Sequence, residues 1–507
     1  MTYCTNEKEI VSLYSDIQNI MSYIQPKPRM QLMMPCSIDD YVSCESYVRF
    51  IDAFVDKIVQ IQPELLTVKG TSDVGRTAYK FSTLLKLYIY GFLNSVSSSR
   101  KLEAETYRNM EVIWLLGNLQ PDHKTISDFR KDNKEAIRSV TISFRRFLKD
   151  EGYISGKKMS TDGTKIKAYA SKNTLSLKII NQRMERLEAQ LDKYLTELQE
   201  NDTVESVEEQ LSTLSDELGV ESALLKKIAS LQTQIEELER SKRSLEFLGR
   251  EAIAPADMDA KVMKTKEGFM PAYNVQSVID HENHMIGLME VTDEPVDYYC
   301  LEQNTTALEE QMDIVPQELL ADKGYANEDQ LQALEEKDIR CIVPFPESSA
   351  DQKQRDTGIT FEYDKENDCF RCSQGQRLAL ISKHVIKRTK PYAVYQGKNC
   401  LQCPLKSQCT TSKKGRIIYR RKENEWLLAY KEKLKTPAYK KGCKERKSFV
   451  EHPFGTIKYW MGQIPLLLRS KEKVQVEVDL YATSYNIRRL LNIEPMEVLL
   501  KKVANWG

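Results

Sequence analysis

The stretch ELLADKGYANEDQLQALEEKDIRCIVPFP, residues 318–346, has the pattern of a strand, a turn, a helix and a second strand. A short apolar run ends at Asp322, a glycine turn and a helical segment follow, and another apolar run ends near Pro344. This β-α-β order predicts a parallel strand pair in an α/β sheet. Because ligands of such sheets bind beside the carboxyl ends of the strands, Asp322 is a candidate functional residue.

A second acid stands in the segment KKMSTDGTKIKAYA, residues 157–170. Apolar and polar residues alternate here, which predicts a β-strand around Asp162. Each of these two aspartates precedes or closely precedes a glycine, so a plain turn residue is the alternative interpretation for both. The strand pattern makes Asp162 the second candidate.

Between the two aspartates the sequence predicts a β-hairpin and a helix. The runs FMPAYNVQSVID and HMIGLMEVTD are rich in β-forming residues and are joined by the polar tip HENH, which we interpret as a solvated turn that contains His281 and His284. A helix is expected around VDYYCLEQNTTALEEQM. Asp293 and Asp297 follow the hairpin, and we interpret them as loop or cap residues.

A third acid lies near the end of the chain, in ERKSFVEHPFGTIKYWMG, residues 445–462. Glu451 is expected to begin a helix, because apolar residues recur after it at helical spacing. Lys458 lies two turns further on and is expected to project from roughly the same face. By itself, a glutamate at a helix start most often complements the helix dipole.

The segments STDGTKIKAYASKN, YNVQ, LLADKGY and VEHPFGTIK occur in this order, and together they resemble DDE transposases of bacterial insertion sequences. The segments GRTAYKFSTLLKLYIYGFLNSVSSSRKLE and PDHKTISDFRKDN also resemble the leading domain of that family. The resemblance implies a ribonuclease-H-like mixed sheet core and a helical N-terminal domain. It places the three catalytic acids on Asp162, Asp322 and Glu451. Lys458 is a further catalytic candidate, which we expect to steady a DNA phosphate or developing charge.

Many relatives carry the signature Tyr-x2-Arg-x3-Glu-x6-Lys around the last acid. Here Glu451 and Lys458 match its end, whereas Lys444 and Lys447 occupy the Tyr and Arg positions and Arg446 lies one residue early. The assignment of the acid is unaffected, but how the neighbouring basic side chain engages DNA is left open.

The expected chemistry is metal-assisted phosphoryl transfer. Two Mg²⁺ or Mn²⁺ ions can activate an attacking water or 3′-hydroxyl and stabilise the departing oxygen. Carboxylate oxygens suit these hard ions, and we expect Asp162 to bridge both ions, Asp322 to bind one and Glu451 the other. The alternatives are a metal-dependent nuclease that cleaves without joining, and a DNA-binding relative without catalysis.

The charge of the chain is balanced overall but locally segregated. Lys and Arg number 74, as do Asp and Glu, yet residues 413–447 hold fourteen Lys or Arg against four Glu. Such a stretch favours DNA phosphates, although a solvated helix face is the plain alternative. The candidate DNA-contacting residues are Arg130, Lys131, Arg420, Arg421, Arg446 and Lys447.

Five of the eleven cysteines fall in one window, as CFRC at 369–372 and CLQCPLKSQC at 400–409. Paired CxxC segments in a reducing compartment predict a structural zinc site. Four of these five would bind zinc: either Cys369, Cys372, Cys400 and Cys403, or Cys372, Cys400, Cys403 and Cys409. The second set is closer to the spacing in the resembling family. A redox role is the alternative.

The remaining features concern organisation. Residues 173–252 carry leucine-rich heptads that predict a helical hairpin or a coiled coil with a second subunit. No apolar run is long enough for a membrane span and no signal region is seen, so a cytoplasmic protein is expected. DNA and a second copy of the chain are the expected partners, as a homodimer or higher oligomer. We predict a helical DNA-binding domain at residues 1–150, with a plain helical bundle as the alternative. The catalytic core would comprise residues 151–172, 253–348 and 426–507, the last with C-terminal helices. Residues 173–252 would form the coiled-coil insertion and residues 349–425 the zinc-binding insertion.

Overall fold

We describe a computed structural model of the chain, which is a mixed α/β protein with a helical N-terminal region. Its described residues are 37–66, 78–170, 174–208, 217–346, 354, 356–387, 390–420, 425–459 and 466–507. No helix in these ranges combines the length and the apolar character that a membrane span requires.

The described part of the N-terminal region contains six α-helices, which match the helical pattern expected there. Asp122 is the N-cap of the fifth helix and accepts hydrogen bonds from the backbone amides of Lys124 and Thr125. The sixth ends before Gly152, which has a positive φ of 77°. The helices are α1 Tyr47–Ile61, α2 Phe81–Leu93, α3 Ser99–Arg108, α4 Met110–Leu115, α5 His123–Asp132 and α6 Lys134–Asp150.

The central sheet has six strands. They are β1 Lys158–Lys167, β4 Lys261–Thr265, β5 Gly268–Asp280, β6 Ile286–Thr292, β7 Glu318–Leu320 and β8 Arg340–Ile342. The order across the sheet is β6–β5–β1–β7–β8, and β4 pairs with the first residues of β5. Strands β5 and β6 form the predicted hairpin, β5 runs antiparallel to β1, and β7 and β8 are the predicted parallel pair.

Helices cover both faces of this sheet. Helix α9 Cys300–Met312 precedes β7 in sequence and packs on β5 and β6, whereas α10 Glu328–Glu336 lies between β7 and β8 in sequence. The C-terminal helices follow the cysteine-rich segment. They are α12 Glu425–Lys435, α13 Pro437–Tyr459, α14 Lys471–Leu491 and α15 Met496–Asn505. Helix α13 packs against β1, β7 and β8, and α14 packs against β6.

Two further units are inserted between parts of the sheet. Helices α7 Leu177–Glu208 and α8 Glu217–Leu248 pack on each other above the short pair β2 Leu175–Ser176 and β3 Ala252–Ile253. Tyr194 on α7 lies under the ammonium of Lys227 on α8, so the helices run antiparallel. The second unit is a five-stranded antiparallel sheet with the short helix α11 Lys406–Cys409. Its strands are β9 Phe361–Asp364, β10 Cys369–Cys372, β11 Arg377–Lys387, β12 Lys390–Gly397 and β13 Ile417–Arg420.

One hydrophobic core joins the N-terminal helices, the central sheet and the C-terminal helices. It runs from Val42 through the strands to Val503 without a break. At its end, Trp506 packs against Phe54 on α1 and Phe147 on α6. The N-terminal helices are therefore packed onto the rest of the protein as part of the same core.

Candidate active site

Asp162 and Asp322 lie at corresponding points of neighbouring parallel strands. The β1–β7 register pairs Lys158 with Glu318 and Ser160 with Leu320. Asp162 and Asp322 each stand two residues after this last pair, Ser160 and Leu320. Because side chains two residues apart project from the same face of a strand, both carboxylates project from one face of the sheet at one edge.

The carboxyl of Asp162 is in an environment that disfavours its charged form. Burial raises its pKa to about 6, the guanidinium of Arg446 opposes this shift, and the negative charge of Asp322 adds to it. The Arg446 Nη1 atom lies 3.9 Å from Asp162 Oδ1. Asp162 lies within β1, opposite Ser277 on β5, so the turn interpretation of Asp162 is wrong.

Asp322 combines a turn role with its position at the strand end. It is the N-cap of the 3₁₀ turn Lys323–Tyr325, and its Oδ1 atom accepts a 2.6 Å hydrogen bond from the backbone amide of Gly324. The other carboxylate oxygen is not used by this bond. Asp322 thus fixes the turn with one oxygen and keeps the second for another contact.

Helix α13 covers the face of the sheet on which the two aspartates project. A Cβ on Gly442 would lie 2.7 Å from Ile342 Cδ1, so the helix backbone lies directly on the strands there. One turn later, Glu445 accepts a 2.6 Å hydrogen bond from Lys158 on β1. Arg446 follows beside Asp162. These spacings of three and four residues define one docked helix face.

The third predicted acid, Glu451, lies inside α13 and not at its start. The helix begins at Pro437, so the expectation that Glu451 begins a helix is wrong. The residues before it continue the helix because that part is held against the sheet by packing. The side chains of Glu451, Lys458 and Lys447 lie outside the described set.

His281 lies at the junction of the hairpin and α13. Its ring stacks on Phe449 with ring centroids 3.8 Å apart, and its Nε2 atom lies 2.6 Å from Ser160 Oγ. Burial lowers the pKa of His281 to about 4, so the ring is neutral at neutral pH. The interpretation of the hairpin tip as a solvated turn is therefore wrong for this residue, because α13 covers it.

Asp297 also belongs to this region. It begins a 3₁₀ turn, Asp297–Tyr299, in agreement with its interpretation as a loop or cap residue. Its carboxylate, however, is held against the sheet by Asn274 and Gln276 amide donors at 2.8 and 2.9 Å and by Lys165. Its negative charge contributes to the raised pKa of Asp162. The sequence signal was the YNVQ segment, whose Asn and Gln supply both amides.

The site offers oxygen donors that suit a hard divalent ion. Asp162 and Asp322 are carboxylates at one sheet edge, and the burial of Asp162 among like charges favours a cation beside it. Among the described residues, no three His, Cys, Asp or Glu side chains already stand as a metal site. The two described acids therefore fit as part of a ligand set that needs at least one further donor.

The predicted DNA-contacting residues have different environments. Arg130 is only 5% exposed, lies 2.8 Å from Glu477 and covers the ring of Tyr88, so we do not include it in a DNA surface. Lys131 is exposed. The guanidinium carbon of Arg420 lies 3.6 Å from the ring centroid of Tyr363 in the five-stranded sheet. Arg421 lies outside the described residues.

Four of the five clustered cysteines border one cavity of the small sheet unit, although among the described residues no three of them stand at metal-ligand positions. Cys372, Cys400, Cys403 and Cys409 line one small cavity. Burial raises the pKa of the Cys409 thiol, Arg416 opposes the shift, and the three other thiols add to it. Cys369, in contrast, is fully buried within β10, three residues from Cys372 and hence on the opposite strand face.

Glycines make the approach of these thiols possible. A Cβ on Gly397 would lie 2.3 Å from Cys400 Sγ, and one on Gly415 would lie 2.3 Å from the carbonyl oxygen of Gly397. Gly415 also has a positive φ of 84°. The backbone of Gly397 and Gly415 is therefore shaped around Cys400, which belongs to both predicted zinc ligand sets.

Two family models match the chain. The model for the transposase DDE domain matches residues 371–491, and the model for a transposase domain, DUF772, matches residues 36–132. Together they are consistent with a DDE transposase of insertion-sequence type, which confirms the resemblance read from the sequence motifs. A comparison with curated proteins found no match. The first matched range contains Glu451 and Lys458, whereas Asp162 and Asp322 lie outside both ranges.

Proposed function

We propose that this protein is a DNA transposase that cleaves the ends of an insertion sequence and joins them to target DNA. The two transposase matches support the general activity. The observation that carries the catalytic assignment is that Asp162 and Asp322 occupy corresponding positions beside each other, each two residues beyond the last β1–β7 pair. The strand order β6–β5–β1–β7–β8 supports a ribonuclease-H-like core.

Asp162, Asp322 and Glu451 would hold the divalent ions, with Mg²⁺ or Mn²⁺ as the expected metal. Bound there, the metal supplies Lewis acidity that activates the attacking oxygen and stabilises the departing one. Asp162 contributes a half-buried carboxylate whose charge is incompletely neutralised by Arg446. The Asp322 turn orients a second carboxylate, and α13 carries Glu451 and Lys458 across the same face of the sheet.

DNA would follow the positive surface beside this face. Helices α12 and α13 carry exposed lysines, among them Lys435, Lys440 and Lys444, close in sequence to the candidate acid. Lysines on one surface attract phosphate groups without reading base sequence. Because two element ends must be brought together before joining, the working form would contain at least two copies of the chain.

We also propose a structural zinc ion held by Cys372, Cys400, Cys403 and Cys409. Four thiolates satisfy tetrahedral zinc, and the shared cavity supports this set over the one that includes Cys369. The zinc would stiffen the five-stranded sheet that connects β8 to α12 in the chain. It would take no part in the chemical step.

The test uses a labelled duplex that carries the element's terminal sequence, a supercoiled target plasmid and Mg²⁺. The purified protein should nick the duplex at the element end and join the 3′ end to the plasmid. Changing Asp162, Asp322 or Glu451 to alanine should each lower both reactions by at least about 100-fold, since each removes a metal ligand. Asp293→Ala, which alters a nearby loop acid paired with Lys261, should remain active.

Two results would contradict the proposal. Metal-dependent cleavage without joined product would identify a nuclease. Activity that survives Asp162→Ala would remove this carboxylate from the catalytic site.

A further inference from the structure

The YNVQ segment lies on β5 directly beside the strand that carries Asp162. In the antiparallel β1–β5 register, Gln276 stands opposite Gly163 and Asn274 opposite Lys165. Both amide side chains are almost completely buried, with 1% and 0% exposure. Buried amides must be hydrogen-bonded to offset the loss of water, so their partners show what they hold in place.

The amide of Gln276 has three side-chain partners on three different elements. Its Nε2 atom donates a 2.9 Å hydrogen bond to Asp297 Oδ1. Its Oε1 atom accepts hydrogen bonds from the hydroxyl of Tyr325 at 2.6 Å and from Asn304 Nδ2 at 3.0 Å. A buried network of this kind is rigid when its members are satisfied.

Two of these partners lead to the two aspartates. Asn304 on α9 donates a 2.9 Å hydrogen bond to the hydroxyl of Thr161, the residue before Asp162. Tyr325 closes the 3₁₀ turn that Asp322 caps. Gln276 therefore connects the strand of Asp162 with the turn of Asp322 from the face of the sheet opposite α13, on which α9 packs.

The glycine after Asp162 is required for this arrangement. A Cβ at Gly163 would lie 2.3 Å from Gln276 Nε2 and 2.5 Å from Asp297 Oδ1. Any larger residue would push the amide and the carboxylate away from β1. The Asp-Gly pair in the sequence thus serves a close approach and not a turn.

We propose that Gln276 is a positioning residue that sets the separation of the Asp162 and Asp322 carboxylates and thereby the affinity of the site for a divalent cation. This inference rests on the proposed metal-dependent function. Divalent ions bind carboxylates at short and well-defined distances, so a shift of one ligand weakens binding. Loss of a supporting hydrogen-bond partner typically costs 10- to 100-fold in metal affinity.

The experiment measures Mn²⁺ binding to the full-length, DNA-free protein by titration calorimetry, which needs no catalytic turnover. Tyr325→Phe removes only the hydroxyl that donates to Gln276. Gln276→Glu keeps the shape but places an acceptor against Asp297. We expect each variant to bind Mn²⁺ about 10-fold or more weakly, with Gln276→Glu the weaker binder.

Tyr88→Phe is the matched control. Tyr88 is also buried, and its hydroxyl donates a 2.6 Å hydrogen bond to the Ile126 carbonyl in the N-terminal helices. This variant should lose thermal stability to a similar extent as Tyr325→Phe but keep wild-type Mn²⁺ affinity. A general loss of packing would lower stability in both variants without separating their affinities.

The outcomes distinguish this inference from the proposed function. Wild-type affinity in a folded Tyr325→Phe protein overturns the positioning role, while Mn²⁺ binding that is lost in Asp162→Ala leaves the metal site standing. Equal loss of affinity in Tyr325→Phe and Tyr88→Phe also overturns it. If the wild-type protein binds no Mn²⁺, the metal site itself fails and this inference fails with it.

Discussion

At the scale of single residues, Asp162 is the most informative side chain. Burial and the charges of Asp322 and Asp297 raise its pKa, whereas Arg446 lowers it. The result is a carboxyl that is largely ionised at neutral pH but protonates in mild acid. Arg446 thus supports the charged form of a residue that the surrounding acids would otherwise neutralise.

Mn²⁺ binding should depend on pH through this carboxyl. Because the pKa of Asp162 is raised to about 6, protons compete with the metal at a higher pH than for an ordinary aspartate. We expect affinity to fall about tenfold per pH unit below about pH 6 and to level off above about pH 7. Titration calorimetry between about pH 5 and about pH 8 measures this.

Arg446→Gln provides the comparison. Removing the guanidinium that lowers the pKa of Asp162 should move the midpoint of this pH profile upward. A wild-type profile that stays flat down to about pH 5 would contradict the assignment of the titrating group to Asp162.

At the scale of elements, α13 is positioned by what it touches. Its contacts recur every three or four residues along one helix face. Gly442 packs on β8, Glu445 bonds to Lys158 on β1, Arg446 lies beside Asp162, and Phe449 stacks on His281. Helix α14 covers the edge strand β6. The side-chain amides of Gln475 and Asn486 on this helix hydrogen-bond to backbone N–H and C=O groups of β6. Helix α13 therefore covers β1, β7 and β8, and α14 covers the backbone of β6.

Substitution of the two glycines of α13 should separate packing from helix propensity. Gly442→Leu should cost about 1–3 kcal/mol of unfolding free energy, because a side chain there meets Ile342. Gly455→Leu in the same helix should be neutral or stabilising by up to about 1 kcal/mol, since nothing lies within 4 Å of its Cβ position. Urea unfolding measures both. Equal stabilities would argue against the docking of α13 described above.

The cysteine-rich sheet allows a direct test of its metal. Elemental analysis of the purified protein should find one zinc per chain. Serine at Cys372, Cys400, Cys403 or Cys409 should lower the zinc content, because each removes one of four tetrahedral ligands. Cys369→Ser is the matched control and should keep the zinc. Loss of zinc in Cys369→Ser together with retention in Cys409→Ser would favour the other ligand set.

At the scale of the whole molecule, charged residues in the buried interface join the N-terminal helices to the sheet and α14. Arg145 on α6 is 2% exposed and lies 3.9 Å from Asp479 on α14. Arg138 contacts the same aspartate at 3.3 Å and also pairs with Glu290 on β6. The N-terminal region is thereby held in one orientation relative to the candidate active site.

Asp479→Ala should destabilise the protein strongly. It leaves the buried Arg145 and the half-buried Arg138 without a shared counter-charge, and breaking such a pair typically costs about 3–5 kcal/mol. The free energy of urea unfolding measures the loss. Glu497→Ala, which removes an exposed partner of Lys501, should cause no measurable change. A loss no larger than that of the control would show that the interface depends on apolar packing alone.

Much of the sheet was predictable because its signals are local. Alternating residues around Asp162, the two runs on either side of HENH, and the apolar–glycine–helix–apolar order from residue 318 each predict their own element. The observed strands β1, β5, β6, β7 and β8 follow these predictions.

The parts that could not be predicted depend on partners far away in the chain. Arg130 is a basic residue of the type that contacts DNA phosphates, yet it is buried because Glu477 lies beside it in the fold. Helix α13 extends back to Pro437 through Gly442, a residue that local propensity disfavours, because the strand surface accepts a helix backbone there. His281 is covered by Phe449 for the same kind of reason.

The sequence alone thus predicted the strands, the hairpin and the positions of two candidate carboxylates, Asp162 within a strand and Asp322 just after one, since short-range periodicity encodes the strands. It also identified the transposase motifs in their order. Only the folded chain decided that Asp297 and Gln276 lie on the face of β1 opposite these acids. It also decided which four cysteines line one cavity and which arginines are paired with acids inside the protein. Those outcomes depend on contacts between residues far apart in sequence, and such contacts arise only when burial and pairing across the whole core are satisfied together.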